Sequence, residues 1–389
     1  MTVCRVFSLV VLFSFAITAG TILPGTDRIS GYVAELPTLS FQWDTSDVQW
    51  SNLVHARLNY DWYPVSSIAF SLAGRVQLFS GNQATILVVP GPLLEPLSND
   101  RGYVDLTDAW PSVLYTNIDR LWVSYTRSNL VLAAGRQRIN WATNFVWNPN
   151  DWFNAFQYLD FDYEERPGTD GLRLTYYAGA VSVVEMAVRA AQTFDNRVYA
   201  AMYRFNKFNY DWQFQGGLYG RDAALGFSWS GDIFGGGFRG EVSSYMPVLD
   251  PDGTFSASDS ITAVAAVGGD YTFENGFYIS TEALYNGFGS DEPLDPLLFL
   301  TQDFSAKNLT PAKYLVYGSV AYPFTPLING AFAAIVSPED RSLYLSPSLT
   351  ISLFQNTDLL AIAQLFFGGD DSIFGASGNL AGLRLRWNF

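Results

Sequence analysis

The chain has 389 residues, enough for two ordinary soluble domains, yet 15% of them are charged and 16% are aromatic. Soluble domains carry roughly 25% charged residues, so this composition points to another class. No stretch beyond residue 20 is apolar for the ~20 residues that a membrane-spanning helix needs, and a formal charge of −15 makes nucleic acid a poor partner. Apolar content without apolar runs is what a transmembrane β-barrel requires, because its strands meet lipid only at every second residue.

Residues 1–20 read as a secretory signal. Arg5 supplies the positive start, Val6 to Ala16 the apolar core, and Ala16, Thr18, Ala19 and Gly20 the small residues of a cleavage site. A first strand would show alternation, and a membrane anchor would be longer. Cys4, the one cysteine, precedes the apolar core, where the acylated cysteine of a lipoprotein would follow it. Residues 21–389 are expected to form one barrel domain without thiol chemistry.

Alternation then runs almost to the last residue. Leu39, Phe41 and Trp43 share one face of the first strand. In the second, Val54, Ala56, Leu58, Tyr60 and Trp62 oppose His55, Arg57, Asn59 and Asp61. The segment FNYDWQFQ sets Phe208, Tyr210, Trp212 and Phe214 against Asn209, Asp211, Gln213 and Gln215. A helix would repeat its apolar positions every three to four residues. About 18 such segments can be drawn, with 16 as the alternative count. The fold expected is an all-β, antiparallel, up-and-down transmembrane barrel. A soluble β-sandwich, the competing fold, would not line Tyr, Trp and Phe along the outer ends of its strands.

The connections support this reading. Those after even-numbered segments are tight (PVSS, SN, AGA, NKF, DIFG, ENG, PFTP, QNTD), and every long one (81–117, 142–169, 247–259, 288–311, 368–377) follows an odd-numbered segment. Short periplasmic turns opposite long external loops are the asymmetry of outer-membrane barrels. Asn275-Gly276 is a hairpin signal. Pro347, inside a strand, removes a ladder donor and predicts a bulge or local bend. The final strand ends on Trp387 and Phe389. It resembles the C-terminal signal that bacterial outer-membrane barrels present to their assembly machinery.

Orienting each strand by its apolar face assigns Arg57, Arg75, Arg120, Arg136, Arg138, Arg173, Arg189, Arg239, Arg384 and Arg386 to the lumen, with Asp61, Glu185, Glu241, Asp270 and Glu282 as its acids. Arginine outnumbers lysine about sixfold, since Lys207, Lys307 and Lys313 are the only lysines. Guanidinium pairs carboxylates bidentately and stacks on rings, so a row of them in a wet channel favours anionic solutes. The other reading is structural pairing with lumenal acids and with lipopolysaccharide phosphates.

Three runs, Gly135–Trp141 (GRQRINW), Asn148–Asp151 (NPND) and Arg166–Arg173 (RPGTDGLR), resemble outer-membrane porin-like barrels, distantly those of the alginate-export type. The resemblance implies an 18-stranded barrel with an arginine-lined constriction that passes an acidic polysaccharide, with Arg136, Arg138 and Arg173 lining the pore.

Loop 142–169 carries Trp147, Trp152, Phe156 and Tyr158 among its aromatics. They suit either stacking against sugar rings or a hydrophobic plug at the rim or interface. Loop 81–117 is apolar enough to fold into the lumen or to form a trimer contact outside. Catalysis is a poor fit. A lipid hydrolase needs a histidine base, and His55 is the one histidine. No residue cluster has zinc spacing, Asp250 to Asp259 lacks the full calcium-loop pattern, and no cofactor is expected. The function expected is an exported outer-membrane diffusion channel for small anionic solutes or acidic oligosaccharides, embedded among lipids and lipopolysaccharide. A structural or adhesive barrel with an occluded lumen is the alternative.

Overall fold

The alternating segments pair in sequence order into one closed sheet. A computed structural model describes residues 27–43, 47–82, 101–105, 112–155, 162, 168–250, 254–256, 260–289, 305–375 and 377–389. The expected signal, residues 1–20, and most of loop 81–117 lie outside them. The strands are β1 (Asp27–Phe41), β2 (Val48–Val65), β3 (Ile68–Gly81), β4 (Arg101–Asp105), β5 (Ser112–Arg127), β6 (Leu130–Gln137), β7 (Thr169–Gly179), β8 (Ser182–Arg189), β9 (Val198–Lys207) and β10 (Tyr210–Tyr219). Then follow β11 (Asp222–Ile233), β12 (Gly236–Pro247), β13 (Thr262–Thr272), β14 (Tyr278–Asn286), β15 (Tyr314–Thr325), β16 (Ile328–Ser337), β17 (Ser342–Phe354), β18 (Thr357–Phe367) and β19 (Asn379–Asn388).

Eighteen of these strands make the wall. Each pairs antiparallel with its neighbours, and β1 closes the ring against β19. The expected up-and-down barrel of 18 strands is therefore what the chain forms. β4 is an addition, paired to β5 opposite Val113–Asn117. It takes the edge that β6 leaves free by ending at Gln137, four residues before the alternating pattern stops. Gly135 makes that exit possible: its φ is +116°, and a Cβ there would lie 2.2 Å from the Leu121 carbonyl oxygen.

The wall is inside out relative to a soluble protein. Leu58, Phe214, Leu225 and Leu383 are exposed on its outer face, whereas Glu241, Ser243 and Asn286 are buried within. Such a surface suits hydrocarbon outside and a polar interior. The short Gly220-Arg221 turn lies at one rim among the long loops, while the start of β1, the end of β19 and the turns that follow β2, β5, β7, β9, β11, β13, β15 and β17 lie at the other. There Gly31 exchanges two backbone hydrogen bonds with Phe389, at 3.0 and 2.9 Å. A Cβ on Gly31 would stand 2.7 Å from the Phe389 ring, so glycine at this point lets the terminal ring lie across β1.

Of the bulge or bend expected at Pro347 the bulge is absent, and one bulge occurs where none was expected. Pro347 keeps its place opposite Phe332 of β16, but no bulge forms there. On the β18 side the pairs between Leu345↔Leu365 and Ser348↔Ile362 drop out and the register resumes unchanged. The missing donor thus opens the ladder without shifting it. In β5 an unforeseen bulge occurs instead: the register steps from Gly74↔Ile118 to Ala73↔Arg120, which leaves Asp119 as the extra residue.

Candidate functional site

After β6 the chain turns into the barrel rather than outward. Residues 138–155 cross to the far wall, where carboxylates from two strands receive their backbone. Glu241 of β12 accepts the N–H groups of Thr143, of Asn144 at 2.6 Å and of Asn150 at 2.9 Å. Glu282 of β14 accepts those of Phe145 at 3.3 Å, Val146 at 3.2 Å and Trp147 at 2.7 Å. Side chains of the wall complete the seat. Gln213 donates to the Trp141 carbonyl at 2.8 Å, Gln215 to that of Asn150 at 3.0 Å, and Ser243 to that of Pro149 at 2.9 Å. A loop inside a barrel has backbone groups that water cannot reach, and these six N–H bonds to carboxylates satisfy them.

The same loop also reaches the opposite wall. Asp162 lies 3.2 Å from Arg384 Nη1 on β19 and 3.2 Å from His55 Nε2 on β2. Burial pushes the Asp162 carboxyl up, but His55 and Arg384 outweigh it and hold it below the ordinary aspartate range. Counted around the wall, β19 and β2 flank β1, and β11, the tenth of the eighteen strands, faces them. The loop therefore spans the lumen along a diameter. The sequence placed it at the correct end of the barrel but on the outside.

Most of the expected lumenal arginines are partnered. Arg57 pairs with Asp119 and donates to Asn59 at 2.8 Å. Asp119 also accepts from Asn117 at 2.8 Å, while its carbonyl takes Arg120 Nη1 at 2.7 Å. Arg75 is buried across from Arg57. Arg173 meets Glu185 at 2.8 Å, and Arg239 pairs with Asp270. Arg189 donates to the carbonyls of Asn196 and Trp152 at 2.6 and 3.4 Å. Arg386 donates to Asn388 at 2.9 Å and lies 4.0 Å from the centre of the Tyr32 ring.

Arg136 is placed differently. Its register partners are Leu121, exposed on the outer face, and Asp170. Cross-strand partners share a face, so Arg136 lies on the outer side near the rim, bound to Asp170 at 2.6 Å and to the Ile118 carbonyl at 3.1 Å. Arg138, just past the end of β6, is exposed and makes no ion pair among the described residues. With Arg120, Arg173, Gln137, Thr175 and Trp122 it lines a lumenal cavity of about 460 Å³ against β3, β5, β6 and β7.

Burial decides between the two readings of the loop aromatics, in favour of the hydrophobic plug for Trp147 and Trp152. Trp147 and Trp152 are 4% and 1% exposed and offer no face to a solute. They form an internal core with Trp141, Phe153, Tyr219 and Tyr245. Trp152 donates to Ser243 at 2.9 Å and Trp141 to Glu185 at 2.6 Å. Phe156 and Tyr158 lie outside the described residues. Among the described residues of the loop, Phe145 is the aromatic that faces the lumen, 52% exposed, with the Arg239 guanidinium 3.6 Å from its ring centre. His55 is buried edge-on to Tyr32, with Nε2 3.2 Å from the Asp162 carboxylate, and Nδ1 has no hydrogen-bond partner among the described residues. It is not placed as a base for a serine.

No family model matches the chain, and no curated protein matches it in sequence. Solved structures do match. OccD3 (OpdP) of Pseudomonas aeruginosa is 10% identical and superposes with a TM-score of 0.56 over 95% of this chain and 92% of its own. OccAB2 of Acinetobacter baumannii is 9% identical, with a TM-score of 0.57 over 93% and 98% of the two chains. OccK8 (OprE) of P. aeruginosa gives 9% and 0.54 over 93% and 98%. At such identity the likeness concerns the fold, and the chain has the fold of porin-like outer-membrane barrels, closed, antiparallel and 18-stranded.

Proposed function

We propose that the chain is an outer-membrane diffusion channel whose lumen, narrowed by the loop after β6, favours small anionic solutes or acidic sugars. The observation that carries this reading is the cavity beside the loop. Arg138 lacks a counter-ion among the described residues, and Arg120 and Arg173 stand with it around about 460 Å³ of space. Fixed cations in a narrow polar passage attract anions and repel cations. The remaining arginines act chiefly in structural pairs, so selectivity rests on few residues rather than on the whole row. Outer-membrane lipids surround the wall in this reading, and the strand ending in Trp387 and Phe389 serves barrel assembly.

Planar-bilayer recording tests the proposal. A stepwise conductance with a reversal potential on the chloride side in a KCl gradient is expected; the absence of open current would overturn it. That absence would favour a structural or adhesive barrel, a reading supported by the apolar core that the loop builds inside the lumen.

A further inference from the structure

The rim that holds the tight turns carries apolar side chains at the tips of those turns. Phe208-Asn209 joins β9 to β10, and Phe234-Gly235 joins β11 to β12. Phe208 and Phe234 are 80% and 98% exposed. Both turns have positive φ at their two central residues, 59° and 61° in the first and 53° and 80° in the second. Such turns match the twist of a hairpin, and Asn, Asp and Gly fill them with least strain. Phenylalanine at the first position carries a steric cost from its Cβ, and at this exposure it gains little packing in return. Neither the strain nor the exposure serves the fold.

The pattern extends along the rim. Val181, Leu327 and Phe354 are exposed at the β7–β8, β15–β16 and β17–β18 turns. The other three turns differ: β2–β3 closes with Ser66-Ser67, β5–β6 with Ser128-Asn129 and β13–β14 with Glu274-Asn275-Gly276, beside which Phe273 is exposed. Apolar residues at or beside the tips therefore gather along one arc, from β7 to β18, interrupted by the polar tip of β13–β14, and continue the apolar outer wall to the ends of the strands. Lys207 Nζ stands 5.0 Å from the centre of the Phe208 ring, so a long cationic side chain accompanies the first tip, as at surfaces where stems bury and charges reach phosphate.

We propose that this arc of the rim is immersed in the lipid interface of the adjoining leaflet, with Phe208, Phe234 and Phe354 inserted at the boundary between headgroups and acyl chains. The Ser66-Ser67 and Ser128-Asn129 turns stay in water. Aromatic girdles on barrels are built from strand residues; here the chain reversals themselves anchor, and the barrel sits deeper on one side than on the other. Lipid is the occupant because the arc is continuous with the lipid-facing wall. The inference rests on the reading of the chain as a membrane barrel.

Nitroxide labels test it on the whole barrel in phosphatidylethanolamine–phosphatidylglycerol vesicles, in a Cys4→Ser background. Labels go at Phe208→Cys, Phe234→Cys, Ser128→Cys and, on the outer wall, Val267→Cys, with Leu327→Cys replacing either turn variant that does not fold. Collisions with oxygen report lipid, and collisions with an aqueous nickel chelate report water. The expected result is a several-fold higher oxygen-to-nickel ratio at 208 and 234 than at 128, close to the ratio at 267. Nickel exposure at 208 and 234 equal to that at 128 would overturn the proposal, as would shielding from both probes, which a periplasmic protein partner would produce. Nickel exposure at 267 as well would overturn the membrane reading itself and this inference with it.

Discussion

Glu241 and Glu282 are the residues on which the lumenal loop depends most. Both oxygens of each carboxylate accept backbone N–H groups, so a glutamine must turn its NH₂ toward a donor. Hydrogen bonds to charged groups contribute about 1.5–3 kcal/mol each. Glu241→Gln is expected to destabilise the barrel by about 2 kcal/mol on that scale, measured by urea unfolding in vesicles, and to raise open-channel noise. An unchanged midpoint with quiet current would show that the loop is held by packing alone. Both glutamates were legible as lumenal acids from strand parity, but their partner was not, because alternation reports a side chain's face and nothing of what meets it. Asp119 shows the converse. The sequence IDRL holds two charges between Ile118 and Leu121, and that spacing of three between outward residues is the mark of a bulge. Phe145 was passed over for the larger tryptophans, yet large aromatics in a loop are the ones that bury most area.

At the scale of elements, the loop after β6 is fastened at both ends of a diameter by unlike devices. The far wall holds backbone; the near wall holds one side chain, Asp162, between His55 and Arg384. Asp162→Asn keeps the shape and removes the charge. The expected result is a loop still seated on Glu241 and Glu282 but loosened near β1, seen as faster proteolysis at residues 156–167 with little change in unfolding midpoint. Equal proteolysis in both proteins would remove Asp162 from this role. A second loop, 368–377, is tied down by Asp340 in the turn before β17, which accepts the Ile373 N–H at 2.6 Å and the Ser342 N–H and hydroxyl at 3.1 and 2.8 Å. Burial pushes the Asp340 carboxyl up, but these bonds outweigh it and leave it below the ordinary value. A folded value below the unfolded one gives stabilisation that is complete above the unfolded range and fades as pH falls through the folded value. Amide exchange at Ile373 should therefore stay slow from neutral pH down to about pH 4 and then rise, a step that Asp340→Asn should abolish. Parity of the connections told which end of the barrel these loops leave from. It could not tell whether they turn inward, since a lumenal loop and an external one follow the same strands.

For the whole molecule, the alternation of 18 segments and the split between tight turns and long loops made the barrel readable from sequence, because both follow directly from a wall with lipid on one side. Net charge was the weaker guide. The chain carries −15 overall, yet the passage beside the loop is lined by arginines, and ion selection depends on charge within a Debye length of the path, about 8 Å at physiological salt. Arg138 and Arg173 line the cavity beside the loop, which is the path in the proposed reading. Arg136, which the resemblance grouped with them, faces outward and is paired with Asp170. Three variants separate the two accounts. Arg138→Ala with Arg173→Ala should move the reversal potential in a KCl gradient toward zero or past it, with single-channel conductance changed less than twofold, since each truncation opens space while it removes charge. Arg136→Ala should leave the reversal potential where it was, because its charge is neutralised on the other side of the wall. Glu185→Gln should shift the potential further toward anions, by freeing Arg173 from its 2.8 Å partner. If the double variant selects as the native barrel does, the arginines of this lumen are structural, and the acidic exterior rather than the wall would set what enters.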